Sequence, residues 1–125
     1  MDPIKLSLKR EELKVVLETP EGVDKTYTLR EMSGRERDTY LTKMGDKFRY
    51  NSQGQVAGVK TFDGMHSILL ERCLYDENDK LVSMSDLQNF PSRVLSELFA
   101  AAQKINALNQ KMESSEIKNA SEASD

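Results

Sequence analysis

Proton transfer and nucleophilic attack need His, Cys or paired carboxylates, and this chain offers one His, His66, and one Cys, Cys73. Seven residues are two helical turns, which would stack the pair ~10 Å apart on one face, too far to touch. His66 has no sequence partner that would make it a base, so both read as packed or half-exposed helix residues. One His and one Cys cannot build a structural zinc site, which takes four such ligands. A lone Cys also excludes an intramolecular disulfide. The acidic run Asp76-Glu77-Asn78-Asp79-Lys80 invites a calcium-loop reading, with Asp76 and Asn78 at ligand positions one and three. Lys80 then stands at position five, Leu81 at the glycine position and Leu87 at the bidentate glutamate position, so the run reads as a solvated turn. Gly54 and Gly58 are not followed by Lys-Ser/Thr and form no phosphate loop. Asn119-Ala120-Ser121 matches a glycosylation triplet only by chance if no secretory signal is present. Glu11-Glu12 and Arg35 with Arg37 read as solvated faces. The expectation is a non-enzymatic chain with no metal and no cofactor.

The composition sets the class. The chain has 125 residues, enough for one ordinary domain, with 38% hydrophobic and 31% charged residues, 6% aromatics and no Trp. That apolar share is below the usual ~45–50%, so the core is lean and part of the chain is expected to lie outside it. Eighteen Lys and Arg against 21 Asp and Glu give a net charge of −3. A nucleic-acid binder or a polybasic membrane anchor would show the opposite balance. No apolar run approaches the ~20 residues that cross a bilayer. The opening Met1-Asp2-Pro3-Ile4-Lys5 lacks the apolar core of a signal peptide, and Asp2 stands where myristoylation needs Gly. The expectation is a soluble cytoplasmic protein that binds neither nucleic acid nor membrane.

The elements follow from periodicity. Lys14-Val15-Val16-Leu17-Glu18 and Lys25-Thr26-Tyr27-Thr28-Leu29 flank the turn signal Thr19-Pro20-Glu21-Gly22, and predict a hairpin over 13–18 and 24–30. Ile4-Lys5-Leu6-Ser7-Leu8 alternates with period two and is a candidate third strand. Ser33-Gly34-Arg35-Glu36 is a capping box opening a helix to about Arg49, with Tyr40, Leu41, Met44 and Phe48 on one face. Residues 51–58 read as a mobile loop. A second helix is expected over about 61–75, with Phe62, Met65, Ile68, Leu69 and Cys73 inward and Gly64 weakening its first turn. Leu81-Val82-Ser83 reads as a short extended piece and 84–89 as a short helix. The last helix, about 91–110, opens at Pro91.

That helix carries two apolar stripes. Val94, Leu98, Ala101, Ile105, Leu108 and Met112 recur at alternating spacings of four and three, a heptad seam. Leu95, Phe99 and Ala102 lie beside it. Either both stripes are core, or one packs within the domain and the other meets a partner helix in a second copy or a client. The seam contains Ala, is narrow, and buries modest area at ~25 cal/mol per Å², which suits reversible contacts. From Lys111 to Asp125 the composition turns to Ser, Glu, Ala, Lys and Asn, the signature of a disordered polar tail.

Three stretches together resemble one known family. Leu29-x-Glu31-Met32-Ser33-Gly34-x-x-Arg37-Asp38-x-Tyr40, following a strand, is similar to the opening of the tail assembly chaperones of long-tailed (siphovirus-type) bacteriophages. Leu69 to Val82 resembles their helix ending in an acidic turn, with Asp79-Lys80 where Asp-Gly is expected. Pro91-x-x-Val94-Leu95-x-x-Leu98-x-x-Ala101-Ala102-x-x-Ile105-Asn106-x-Leu108 resembles their final helix. The likeness covers roughly residues 24–110. It implies a protein that coats the tape measure protein before the tail tube polymerises. Such a protein keeps the tape measure soluble, helps recruit tail tube subunits, and is missing from the finished virion. A longer, frameshifted form is common in such a family. A tape measure is a long chain whose bare helical stripes would aggregate, and a holder of it needs many weak, repeated contacts.

The expectation is therefore an α+β fold: a small N-terminal antiparallel sheet packed on three main helices as one domain over 1–110, then the tail 111–125. The expected partners are the tape measure protein, the major tail tube protein and, as a homo-oligomer, a second copy of the chain. Val94, Leu98, Ala101, Ile105 and Leu108 are the candidate partner-binding residues, acting in the host cytoplasm. A structural virion component, such as a head–tail connector or tail completion protein, is the competing reading. A small cytoplasmic regulator of a helical partner is another.

Overall fold

In the computed structural model, which describes residues 2–62 and 64–108, the hairpin forms where the alternation and the turn residues put it. Strands β1 (Glu12–Glu18) and β2 (Asp24–Arg30) pair antiparallel, with Leu13 opposite Leu29, Val15 opposite Tyr27 and Leu17 opposite Lys25. The turn closes through the Thr19 N–H to the Val23 carbonyl (2.8 Å), and Gly22 adopts φ +81°, a value that favours glycine. Because opposed residues share a face, Val15, Leu17, Tyr27 and Leu29 all point at the helices.

Ser33 caps α1 (Gly34–Gly45) as its sequence promised. Its hydroxyl accepts from the Glu36 N–H at 3.2 Å, and the Glu36 carboxylate accepts from the Ser33 N–H at 3.1 Å. Tyr40, Leu41 and Met44 are buried. The helix stops four residues short of the expected Arg49. Phe48–Tyr50 (β3) instead pairs with Val56–Val59 (β4), in the stretch expected to be a mobile loop. The turn between them is built by Asn51, whose side-chain oxygen accepts the Gln53 and Gln55 N–H groups, both at 2.9 Å, with Gly54 at φ +75°.

Helix α2 (Ser67–Cys73) begins six residues later than its periodicity suggests. Gly64 lies at φ +65°, outside the α region, so the chain turns there and Phe62 is left 76% exposed rather than inward. Met65 packs on the core, and Ile68, Leu69 and Cys73 are buried as expected. The helix runs directly into β5 (Leu74–Tyr75), which pairs with β2 and completes a sheet of order β1-β2-β5. This two-residue strand, not Ile4–Leu8, is the third strand of that sheet. Residues 2–10 belong to no strand, and Ile4, Leu6 and Leu8 are exposed. Leu81 bridges Tyr75, an extended piece as read.

Helix α3 (Met84–Gln88) is capped by Ser83, and α4 (Ser92–Ile105) follows Pro91. The fold class is thus α+β, a small sheet on three main helices and one short one. Helix α4 ends at Ile105 rather than near 110. Ala107 takes φ +54°, its N–H reaches the Lys104 carbonyl, and the Leu108 N–H reaches the Gln103 carbonyl (2.7 Å), which turns Leu108 back into the core. The polar tail 111–125 and Met112 lie outside the described residues.

Candidate functional site

The expected contact seam divides into two parts. Leu98 (4% exposed) and Leu108 are buried and belong to the core. Val94 and Ala101 are half-buried, packed on the core from one side and open on the other. Ile105 is half-buried farther along. Leu108 leaves the helical face altogether at the α4 terminus, so the five do not form one continuous ridge.

Val94, Leu98 and Ala101 instead form one wall of an open groove of about 840 Å³. The other wall is the inner face of β1, Val15 and Leu17, with Thr19 and Pro20 of the hairpin turn. Tyr27 and Phe90 close the floor, their rings edge to face at 6.4 Å and 84°. Glu18, Arg93 and Glu97 supply the charged lining. The groove exists because β1 is the outermost strand of its sheet and α4 projects past it. An apolar trough with charged margins can hold an amphipathic helix or an extended segment. Its β1 wall, Tyr27 and Phe90 were absent from the sequence-based candidates. The apolar Leu13, Val15 and Leu17, two residues apart with Val16 breaking the alternation, were the signal that could have found that wall.

A second feature was missed. Asn106 is a buried polar residue whose amide joins two distant segments. Its Oδ1 accepts the Met32 N–H and its Nδ2 donates to the Ala102 carbonyl, both at 2.8 Å. Arg37 donates to the Asn106 carbonyl at 3.2 Å. These contacts fix the end of α4 to the β2–α1 junction.

The residues of chemical type serve the fold. The His66 ring stacks on Phe99 at 4.7 Å. The Cys73 thiol donates to the Leu69 carbonyl at 3.3 Å. Burial, with a smaller contribution from the Glu36 charge, pushes that thiol up to about 12, so it stays protonated and unreactive near neutrality. Asp76 accepts the Asn78 and Lys80 N–H groups at 2.8 and 3.0 Å, which makes the acidic run a hydrogen-bonded turn. Asp79, at φ +62°, and Glu12 both bind the Arg30 guanidinium, which also lies 4.4 Å over the Tyr75 ring. The Asp79 bond, then the Glu12 bond, hold that guanidinium's pKa above its usual value. Among the described residues, no group of three or more His, Cys, Asp or Glu is placed to hold a metal ion. Among them, no helix is long and apolar enough to cross a membrane. The chain matches no protein-family model, no curated protein and no solved structure.

Proposed function

We propose that this chain is a tail assembly chaperone of long-tailed bacteriophages, which binds the tape measure protein and keeps it soluble until tube subunits displace it. The observation that carries this reading is the open groove between β1 and α4, apolar along Val15, Leu17, Val94 and Ala101 and charged at Glu18, Arg93 and Glu97. An amphipathic client helix places residues at i, i+3, i+4 and i+7 into such a trough, reading spacing rather than exact sequence. Each groove contact is small, and many copies along one long client would add their effects by multivalency. Release by competing tube subunits needs no nucleotide. The major tail tube protein is the second partner. The site of action is the cytoplasm of the infected host or lysogen, and the protein is left out of the mature particle.

The test is co-expression with the tape measure protein, which this reading expects as a very long, helix-rich chain encoded just downstream of this protein's gene. That chain should be soluble only when this protein is present, and Val94→Asp with Ala101→Asp should cut the co-purified amount at least tenfold. Solubility of the long chain alone, or undiminished capture by the variant, would overturn the reading. Detection of this protein in purified virions would favour a structural component instead.

A further inference from the structure

Residues 2–11 form an arm in which every side chain is exposed. Ile4 and Leu6 are 86% and 83% exposed, and Leu8 is fully so. These three alternate with Lys5, Ser7 and Lys9, the period of a strand with one apolar face, yet they have no sheet to join. Directly after the arm, β1 has a free outer edge, and the groove opens beside it. One region thus has strand pattern without a sheet, and the other has a sheet edge and an apolar trough without an occupant among the described residues.

We infer that the arm of a second copy adds to the outer edge of β1 and lowers Ile4, Leu6 and Leu8 into the groove. Antiparallel pairing with Ile4 opposite Leu17, Leu6 opposite Val15 and Leu8 opposite Leu13 puts all three on the helix-facing side, because opposed residues share a face. A shift of one residue would turn them to the polar face. The added strand covers the open sides of Val94 and Ala101. Charge supports the match on the sheet's other face, where the same register sets Lys9 opposite Glu12 and Lys5 diagonal to Glu18. A chain's own arm is led the other way. The Glu31 N–H binds the Glu11 carbonyl at 2.8 Å, the Glu11 N–H binds the Glu31 carboxylate at 3.1 Å, and Arg10 pairs with Glu36 at 3.7 Å. The first two extend the β1–β2 register by one pair, so the chain runs straight on past Glu12 toward α1 instead of folding back onto the edge of β1. The inference stands on the arm and the groove and does not depend on the identity of the client.

The test mixes two full-length variants, Leu6→Cys and Val15→Cys, with the buried Cys73 left in place. Under mild oxidation the mixture should give a disulfide-linked dimer on a non-reducing gel, well above the dimer either variant gives alone. In sedimentation velocity, Leu6→Asp should weaken self-association at least tenfold with an unchanged thermal melt, since the arm lies outside the core. A mixture that gives no excess dimer overturns the inference. A double variant that closes into a cross-linked monomer does so too, by showing the arm folding onto its own edge. Monomeric wild-type protein at all concentrations has the same consequence. Arm and client would compete for one groove, so Leu6→Asp should leave capture of the tape measure protein intact or raise it, and loss of self-association is scored apart from loss of capture.

Discussion

The two ends of α4 are built for different work. Its C-terminal end is tied down: Asn106 joins Met32, Ala102 and Arg37, and Leu108 folds back beneath the helix. At its N-terminal end, Pro91 supplies no side-chain cap and the first turn has no acidic residue, and Val94 stands half open beside β1. Buried hydrogen bonds in a low-dielectric interior are costly to break, whereas a half-exposed apolar side chain loses little when changed. One helix therefore anchors the fold at one end and presents a surface at the other. The apolar seam runs through both regions without distinguishing them.

The sharpest way to break that comparison is an aspartate placed one turn apart. Leu98→Asp forces a carboxylate into a core position that is 4% exposed. Burying an unpaired charge and deleting a buried leucine each destabilise by several kcal/mol, so the change should exceed ~4 kcal/mol and leave the chain unfolded at room temperature. Far-UV circular dichroism checks this. A native melt from Leu98→Asp would show that the middle of α4 is surface, and the division of the helix would fail.

Asn106→Ala probes the anchored end. It leaves the Met32 N–H buried without its acceptor and removes the bond to the Ala102 carbonyl. The expected loss is ~2 kcal/mol, or roughly 10 °C in melting temperature for a domain of about this size. Hydrogen exchange at Met32 should rise with it. An unchanged melt would mean that the end of α4 is no more firmly held than its beginning.

How much of this was legible depends on what periodicity can report. The β1–β2 hairpin and the Ser33 capping box were readable because each rests on neighbours in sequence: alternation, a Pro-Glu-Gly turn, and a hydroxyl three residues from a carboxylate. The β3–β4 hairpin was not. Phe48 falls four residues after Met44 and so continues a helical face as well as it starts a strand, and only the Asn51 turn with Gly54 decides. Gly64 was weighed as a small propensity penalty, whereas its φ of +65° excludes the helix outright. The strand β5 is two residues long, too short for any pattern, and its place beside β2 is set by tertiary packing. The seam on α4 was visible, but spacing names the apolar positions and is silent on which side of each is covered. In sequence Asn106 is one polar residue among apolar ones, and its role emerges only when Met32, 74 residues earlier, comes within hydrogen-bond reach.

The smallest effect belongs to the open end, and its smallness is the point. Val94 is the third residue of α4, where the helix dipole favours a negative charge. Val94→Asp loses part of an apolar contact, about 1 kcal/mol for a half-buried valine, and regains ~0.3–1 kcal/mol from the helix terminus. Valine and aspartate have similar helix propensity, so nothing else changes in the helix. The melting temperature should move by no more than a few degrees, measured beside Leu98→Asp under identical conditions. With the fold retained, loss of a partner from the groove can be assigned to the groove itself. Collapse of Val94→Asp to the level of Leu98→Asp would instead place Val94 in the core and remove the surface on which the N-terminal half of α4 is argued to act.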